Sequence, residues 1–225
     1  MILLKGINKY YQTRHGKRVV LNGINLTINA GDKVGILGRN GSGKSTLLNI
    51  ISGAELPSSG QVIKNMSVSW PIGLSGGLQG TLTGLDNLRF LCRIYDKPFE
   101  DRKLKIEEIT GLGRYLWEPV ATYSSGMKAK LGIGISMLID FDCYLVDEAL
   151  SVGDKAFQMK YKDEIDRYRA DKALLLVSHH ENHIKLHCNK VFILTNGKIL
   201  EYADIDEAIF LYNKLKRESA MELGF

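Results

Sequence analysis

Short apolar runs, rich in β-branched residues and bounded by polar or glycine residues, recur along the chain. Four of them cover residues 34–37, 143–146, 174–177 and 191–194. They are too short for helices and show no polar alternation, which is typical of strands covered on both faces in a parallel sheet. The pattern therefore predicts a central parallel sheet built from segments far apart in the chain.

A different pattern, with apolar residues at every second position, occurs near the N-terminus. The series Ile24, Leu26 and Ile28 has this period, and the mostly apolar residues 2–7 are read as a strand together with it. Such alternation is typical of strands with one buried face, so we expect an antiparallel sheet that precedes the parallel one.

The C-terminal pattern predicts a hairpin followed by a helix. Asn196-Gly197 is a hairpin turn sequence and leads to a strand at residues 199–200. Asp204 is a candidate helix cap, and apolar residues then recur at helical spacing. They are Ile205, Ile209, Tyr212 and Leu215. We interpret this stripe as core packing.

Between the two halves the period changes from strand to helix. Residues 85–95, 102–109 and 125–138 predict helices. We therefore expect a single domain over residues 1–225, with a core of residues 1–72 and 140–225. A helical subdomain is inserted at residues 73–139. The fold class is α/β, with a mixed central sheet and an N-terminal antiparallel subdomain.

Composition narrows the class of protein. The 225 residues are 44% hydrophobic and 24% charged, as in ordinary globular proteins. The longest apolar stretch, residues 131–139, ends at Asp140 and is shorter than the ~20 residues of a membrane helix. The N-terminus does not resemble a signal peptide, so we expect the cytosol. The net charge of +5 is scattered, which allows nucleic-acid binding without indicating it.

The sequence GRNGSGKS at residues 38–45, here called the phosphate loop, follows a predicted strand and precedes an apolar helix. In this motif, backbone N–H groups converge on phosphate, the lysine contacts the β- and γ-phosphates, and the hydroxyl binds Mg²⁺. A plain glycine turn is the alternative. The residues predicted to bind ATP here are Gly38, Arg39, Asn40, Gly41, Ser42, Gly43, Lys44, Ser45 and Thr46.

Two acidic residues, Asp147 and Glu148, end the apolar run at residues 143–146. Carboxylates at the end of a buried strand are costly unless they face a ligand. We expect Asp147 to hold the Mg²⁺ shell and Glu148 to accept hydrogen bonds from, and a proton off, the attacking water. An ordinary acidic turn is the alternative.

Taken together, these motifs resemble those of ABC transporter ATP-binding subunits. After the phosphate loop come Gln79, the signature segment at residues 123–127 (YSSGM), the acidic pair, a D-loop ending at Asp154, and Ser178-His179. The resemblance covers nearly the whole chain in family order. It implies a homodimer in which ATP on one phosphate loop is capped by the signature segment of the partner.

The resemblance assigns further roles to individual residues. Ser124, Ser125 and Gly126 would bind the γ-phosphate from the partner, although an ordinary helix cap explains the same residues. Gln79 joins Ser45 and Asp147 at the Mg²⁺ site, and Asp154 contributes to nucleotide binding. These roles come from the family and not from spacing.

The roles assigned to His179 and Tyr11 each have an alternative. His179 is the switch histidine that contacts the γ-phosphate and acts in catalysis. His179, His183 and His187 also recur at four-residue spacing, which would suit a metal-binding stripe on a helix. Tyr11 would stack on adenine, but the adjacent Tyr10 could take that place.

Departures from the general family pattern point to one branch. The signature segment reads YSSGM, Ala149 follows Glu148, and Gln79 lies four residues before Thr83. Together with residues 69–74 and 80–84, they are similar to ATPases of capsular polysaccharide exporters. The resemblance implies an ATPase on the cytoplasmic face of the inner membrane. Its partners would be permease subunits, periplasmic export proteins and a lipid-linked polysaccharide, but no nucleic acid.

Other functions remain as alternatives. An O-antigen or teichoic acid exporter would use the same residues. A soluble ABC-type ATPase of DNA maintenance or translation is disfavoured because there is no long coiled coil, second phosphate loop or basic arm. A small GTPase or a kinase is disfavoured because the chain has no NKxD guanine motif and because neither would explain the signature and histidine motifs.

Overall fold

A computed structural model describes residues 1–14, 16–72, 77–147 and 171–222, with side chains to residue 217. The described residues form two compact units. The first comprises Met1–Val68, residues 142–147 and residues 171–222, and the second comprises Ser69–Phe141. The division into a core and an insertion at residues 73–139 stays a prediction.

The elements follow one another in chain order. The strands are β1 (Ile2–Thr13), β2 (Gly16–Ile28), β3 (Lys33–Leu37), β4 (Ser59–Lys64), β5 (Val68–Ile72), β6 (Cys143–Asp147), β7 (Ala173–Ser178), β8 (Lys190–Thr195) and β9 (Lys198–Tyr202). The helices are α1 (Lys44–Ser52), α2 (Gly84–Ile94), α3 (Phe99–Thr110), α4 (Ser125–Ile139), α5 (Glu181–His187) and α6 (Ile205–Glu222).

The mixed sheet of the first unit contains strands in the order β6-β7-β3-β8-β9. The pairs β6–β7, β7–β3 and β3–β8 are parallel, whereas β8 and β9 form the antiparallel hairpin. All four strands predicted from short apolar runs are confirmed, as is the hairpin at residues 196–197. Because the central strands are parallel, their carboxyl ends meet at one edge of the sheet, where ligands bind in such folds.

A second sheet of three strands, in the order β2-β1-β4, is antiparallel. The predicted alternation is confirmed, because Ile24, Leu26 and Ile28 are buried and the two residues between them, Asn25 and Thr27, are exposed. β1 and β2 extend past the alternating residues into exposed polar segments, and β4 has no counterpart in the sequence analysis. The buried residues of this sheet pack with those of β3 and α1 in one hydrophobic core.

The second unit is mainly helical, as the sequence predicts. α3 packs closely on α4, where Gly134 lets the helices approach: a Cβ there would lie 2.6 Å from Thr110 Cγ2. Tyr95 and Trp70 also pack edge to face on the buried Phe141, with ring centroids 5.1 and 5.4 Å away. These contacts give the unit its own core.

Two predicted helix caps are present. The Glu207 N–H donates to Asp204 Oδ1 (2.8 Å) at the start of α6, and the Met127 N–H donates to Ser124 Oγ (3.2 Å) at the start of α4. Within the described ranges, no helix combines the length and hydrophobicity needed to cross a membrane.

Candidate nucleotide site

The phosphate loop connects the end of β3 to the start of α1. Gly43 occupies the N-cap position of α1 with a φ of 105°. No side chain caps the helix, and no acidic residue lies in its first turn. The N-terminus of α1 therefore carries no side-chain cap or acidic group that would compete with an anion, which the helix dipole favours.

Two glycines of the loop are required by close contacts. A Cβ on Gly38 would lie 2.5 Å from Ser42 Oγ and 2.9 Å from Leu194 O. A Cβ on Gly43 would lie 3.0 Å from the side chains of Val20 and Leu21, at a φ that disfavours other residues. A side chain at either position would therefore force the loop to shift.

Lys44 is the buried cation of the loop, only 7% exposed, whereas Arg39 is exposed. Its Nζ donates to Gly38 O (2.6 Å) and Arg39 O (3.1 Å). The buried Ser42 Oγ has no hydrogen-bond partner among the described residues. A buried cation beside an unsatisfied hydroxyl and the N-terminus of a helix fits a polyphosphate.

Ser45 and Asp147 meet at the same edge of the sheet. Leu37 of β3 pairs with Ser178 of β7, and Asp147 of β6 pairs with Val177, so the three strands end almost level. The Ser45 hydroxyl donates to Asp147 Oδ2 at 2.9 Å. A hydroxyl and a carboxylate oxygen are suitable ligands for Mg²⁺, which keeps water and substrate oxygens in its other positions. The residues fit the predicted metal.

His179 follows the end of β7 and is half buried. It lies in the stretch before α5, whereas His183 and His187 belong to the helix. The neighbouring His180 N–H donates to Ser178 Oγ (2.9 Å), which fixes this turn. Within the described residues no group of three or more His, Cys, Asp or Glu side chains could hold a metal. The histidine stripe is therefore not supported there.

Tyr10 and Tyr11 are both 39% exposed on β1. The Tyr11 hydroxyl donates to Glu55 Oε1 (2.6 Å), and Lys9 forms an ion pair with the same carboxylate (2.8 Å). Lys17 Nζ lies 3.5 Å from the centroid of the Tyr10 ring. Stacking of either tyrosine on adenine stays a prediction.

A cleft of about 470 Å³ adjoins the phosphate loop, which is large enough for part of a nucleotide. It is lined by Arg39–Ser42, by Arg18–Val20 of β2 and by the β8–β9 turn, with Tyr212 and Leu215 of α6. Neither tyrosine of β1 lines it, but their cross-strand partners Val19 and Arg18 do.

The signature segment and Gln79 belong to the second unit. Ser124 and Ser125 are exposed at the start of α4, where Ser124 acts as the N-cap. Gln79 is exposed, while its backbone is bonded to the buried side chain of Asn87. Sequence reasoning missed Asn87, because a lone polar residue in a helix carries no motif.

Two predicted site residues, Glu148 and Asp154, lie outside the described residues. Their roles stay predictions, as do the assignments of His179, Gln79, Tyr11 and the signature serines to nucleotide or metal.

A family model matches more than half of the chain. Residues 21–151 match the model described as ABC transporter, and they include the phosphate loop, residues 123–127 and Asp147. The chain belongs to this family. Tyr11, Asp154 and His179 lie outside the matched residues.

Relatives in this family extend the match to nearly the whole chain. The capsule polysaccharide export ATP-binding protein CtrD of Neisseria meningitidis serogroup B is 47% identical over 215 residues, which is 96% of this chain and 100% of CtrD. The ATP-binding protein BexA of Haemophilus influenzae is 45% identical over 217 residues, with coverage of 96% and 100%.

A solved structure agrees with the fold. It is a dimeric ATP-binding cassette in a post-hydrolysis state with ADP and Pi bound. The TM-score is 0.77 at 22% identity, over 90% of this chain and 98% of the other. The α/β fold predicted from sequence is thereby confirmed.

Proposed function

We propose that this chain is the ATP-hydrolysing subunit of an ABC exporter that carries a capsular polysaccharide across the inner membrane. The observation that carries the ATPase assignment is the Ser45–Asp147 hydrogen bond beside the phosphate loop. The polysaccharide assignment is supported by the identity of 47% to CtrD, whose name states capsule polysaccharide export.

The residues of the first unit have separable tasks in this proposal. The N–H groups at the N-terminus of α1 and the ammonium group of Lys44 bind the β- and γ-phosphates. Ser45 and Asp147 would hold Mg²⁺. Bound Mg²⁺ neutralises charge on the phosphate oxygens. Glu148 accepts a hydrogen bond and a proton from the attacking water, and His179 donates a hydrogen bond to the γ-phosphate.

Hydrolysis would require two copies of the chain. The exposed Ser124 and Ser125, at the positive end of α4, offer hydroxyl and N–H groups to a phosphate held by the partner. The dimeric state of the structural neighbour is consistent with such pairing. Gln79 and Asp154 would complete the site once the dimer closes.

The remaining assignments concern the assembly. The chain would bind transmembrane permease subunits at the cytoplasmic face of the inner membrane. Periplasmic export proteins and a lipid-linked polysaccharide would belong to the same complex. Identity to exporter ATPases over 96% of the chain favours transport over DNA maintenance.

The test of ATP hydrolysis uses the purified full chain with ATP and Mg²⁺. We expect Mg²⁺-dependent phosphate release that depends on protein concentration in the range where dimers form. Lys44→Ala should abolish ATP binding, and Glu148→Gln should bind ATP yet hydrolyse it very slowly. Near-normal turnover by Glu148→Gln would exclude its role as the base.

The test of substrate class uses the chain purified with its membrane partner in vesicles. A lipid-linked capsular polysaccharide, an O-antigen and a teichoic acid are added in separate arms. Stimulation of ATP hydrolysis by the capsular glycan alone supports the proposal. Stimulation by only one of the other two glycans would reassign the exporter.

A further inference from the structure

Asn87 is a buried amide on α2 whose polar atoms face the backbone of Gln79. It is only 1% exposed. Its Oδ1 accepts a hydrogen bond from the Gln79 N–H (2.7 Å), and its Nδ2 donates to Gln79 O (3.0 Å). The side chain therefore pairs with both backbone groups of one residue, as a neighbouring strand would.

The second hydrogen of this amide is used as well. Asn87 Nδ2 also donates to Thr83 O (2.9 Å), which lies one helical turn before it. An amide has one acceptor oxygen and two donor hydrogens, so all three groups are engaged. Aspartate lacks the donors, leucine lacks both functions, and glutamine adds a methylene that the buried site would have to accommodate.

Gln79 combines a fixed backbone with an exposed side chain. Its main chain is tied to α2 through Asn87, whereas its own amide projects toward solvent. Ordinary loop residues do not need a buried polar partner for both backbone groups, because water can satisfy them. The contact with Asn87 thus sets the point from which the Gln79 side chain extends.

The residues that follow Gln79 also form hydrogen bonds with the segment that precedes the signature. The Ala121 N–H donates to Gly80 O (2.8 Å), and the Val120 N–H donates to Leu82 O (2.9 Å). Tyr123, which precedes Ser124, is packed against Gly84: a Cβ on that glycine would lie 2.6 Å from the tyrosine hydroxyl. Gln79 and the signature segment are therefore joined through one hydrogen-bonded block.

We propose that Asn87 is a positioning residue that acts on ATP hydrolysis through Gln79, by holding its backbone in a fixed place relative to Ser124. This rests on the proposed function, in which Gln79 takes part in ATP hydrolysis. Asn87 itself touches no nucleotide. Its loss releases Gln79, and a reactive group displaced by about 1 Å can cost on the order of 100-fold in rate.

A double-mutant cycle tests this dependence on Gln79. The variants of the full chain are Asn87→Ala, Gln79→Ala and the pair, assayed with ATP and Mg²⁺. We expect each single change to lower kcat by about 10- to 100-fold, with KM for ATP nearly unchanged. The pair should be no slower than Gln79→Ala alone. Independent, multiplicative losses would overturn the proposal, because they would show that Asn87 does not act through Gln79.

Leu88→Ala is the matched control for a loss of stability. Leu88 is fully buried on the same helix, next in sequence to Asn87. We expect it to lower the melting temperature at least as much as Asn87→Ala while kcat of the folded protein stays within about twofold of the native chain. An equal loss of kcat in both variants would show that Asn87 affects hydrolysis only through stability, which would contradict the proposal.

Hydrogen exchange supplies a readout that needs no catalysis. In Asn87→Ala, amide exchange in residues 77–83 should accelerate about tenfold or more, whereas in Leu88→Ala it should follow global unfolding only. Unchanged exchange there would overturn the proposal. If the native chain fails to hydrolyse ATP, the proposed function is wrong, and the exchange result still decides whether Asn87 holds Gln79.

Discussion

Asp142 and Asp147 lie at opposite ends of β6, and each accepts a hydrogen bond from a different serine. Asp142 Oδ2 accepts from the Ser67 N–H (2.9 Å) and hydroxyl (2.8 Å), whereas Asp147 Oδ2 accepts from the Ser45 hydroxyl (2.9 Å). The first pair ties a loop to the sheet. The second lies at the carboxyl edge, beside the phosphate loop. A structural carboxylate thus directly precedes the strand that ends in a candidate metal ligand.

The two carboxylates should respond differently to the same change. Asp147→Asn keeps the shape but removes the negative charge that Mg²⁺ needs, so Mg²⁺-dependent hydrolysis should fall on the order of 100-fold. The melting temperature should change little. Asp142→Asn, the matched control, should retain hydrolysis. Phosphate release measured against Mg²⁺ concentration checks both, and equal losses in the two variants would contradict the division of roles.

Asp142 should also give a measurable pH dependence of stability. The Ser67 N–H and hydroxyl lower the pKa of this carboxyl below its ordinary value. Its contribution is therefore complete above the pKa of the unfolded chain and is lost as the pH falls through the folded one.

We expect Asp142→Asn to lower the free energy of unfolding by about 0.5 kcal/mol near pH 7, because solvent screens this half-exposed carboxylate, and the melting temperature by about 1–2 °C. The difference from the native chain should shrink as the pH falls below about 4. Urea denaturation at pH 7 and at about pH 2 measures it. A difference independent of pH would show that the lowered pKa does not contribute.

Two glycines of α4 form a matched pair for packing. A Cβ on Gly134 would lie 2.6 Å from Thr110 Cγ2 and 3.0 Å from Ile106 Cδ1, whereas a Cβ on Gly132 would meet its nearest atom, Leu78 Cδ1, at 3.9 Å. Gly134→Ala should destabilise the chain by about 1–3 kcal/mol. Gly132→Ala should be neutral or stabilising by up to about 1 kcal/mol. Urea denaturation of both variants decides, and equal effects would contradict the close approach of α3 and α4.

The cysteines should be unreactive in the folded chain. Burial raises the pKa of the Cys143 and Cys188 thiols to about 12, and it raises the pKa of Cys92 as well. Because the thiolate is the reactive form, labelling at pH 8 should be at least about 100-fold slower than in urea. Mass spectrometry after a pulse of alkylating reagent measures this. Rapid labelling of any one thiol in the folded chain would show that it is accessible.

The sequence predicted the parts of the fold in which burial follows a simple period. Continuous apolar runs gave β3, β6, β7 and β8, and a glycine motif gave the phosphate loop. β4 was missed because its residues are mostly exposed or half buried, so their pairing with β1 leaves no clear pattern. β5 was missed because its short run contains Pro71.

The site residues that belong to a sequence motif could be predicted. Those that depend on contacts made only in the folded chain were harder to predict. The Ser45–Asp147 hydrogen bond joins residues that are distant in sequence and follows only from strand order. Asn87 has no signal at all in a single sequence, because its partners are backbone groups. The N-cap role of Ser124 was weighed from its position alone and is confirmed.

The lysine of the phosphate loop spans the loop by donating to Gly38 O and Arg39 O. Both acceptors belong to the loop itself, so these two hydrogen bonds help to hold its curved conformation. Under the proposed function, release of product would return the ammonium group to these carbonyls, and exchange of ADP for ATP would replace one set of hydrogen-bond acceptors of Lys44 by another.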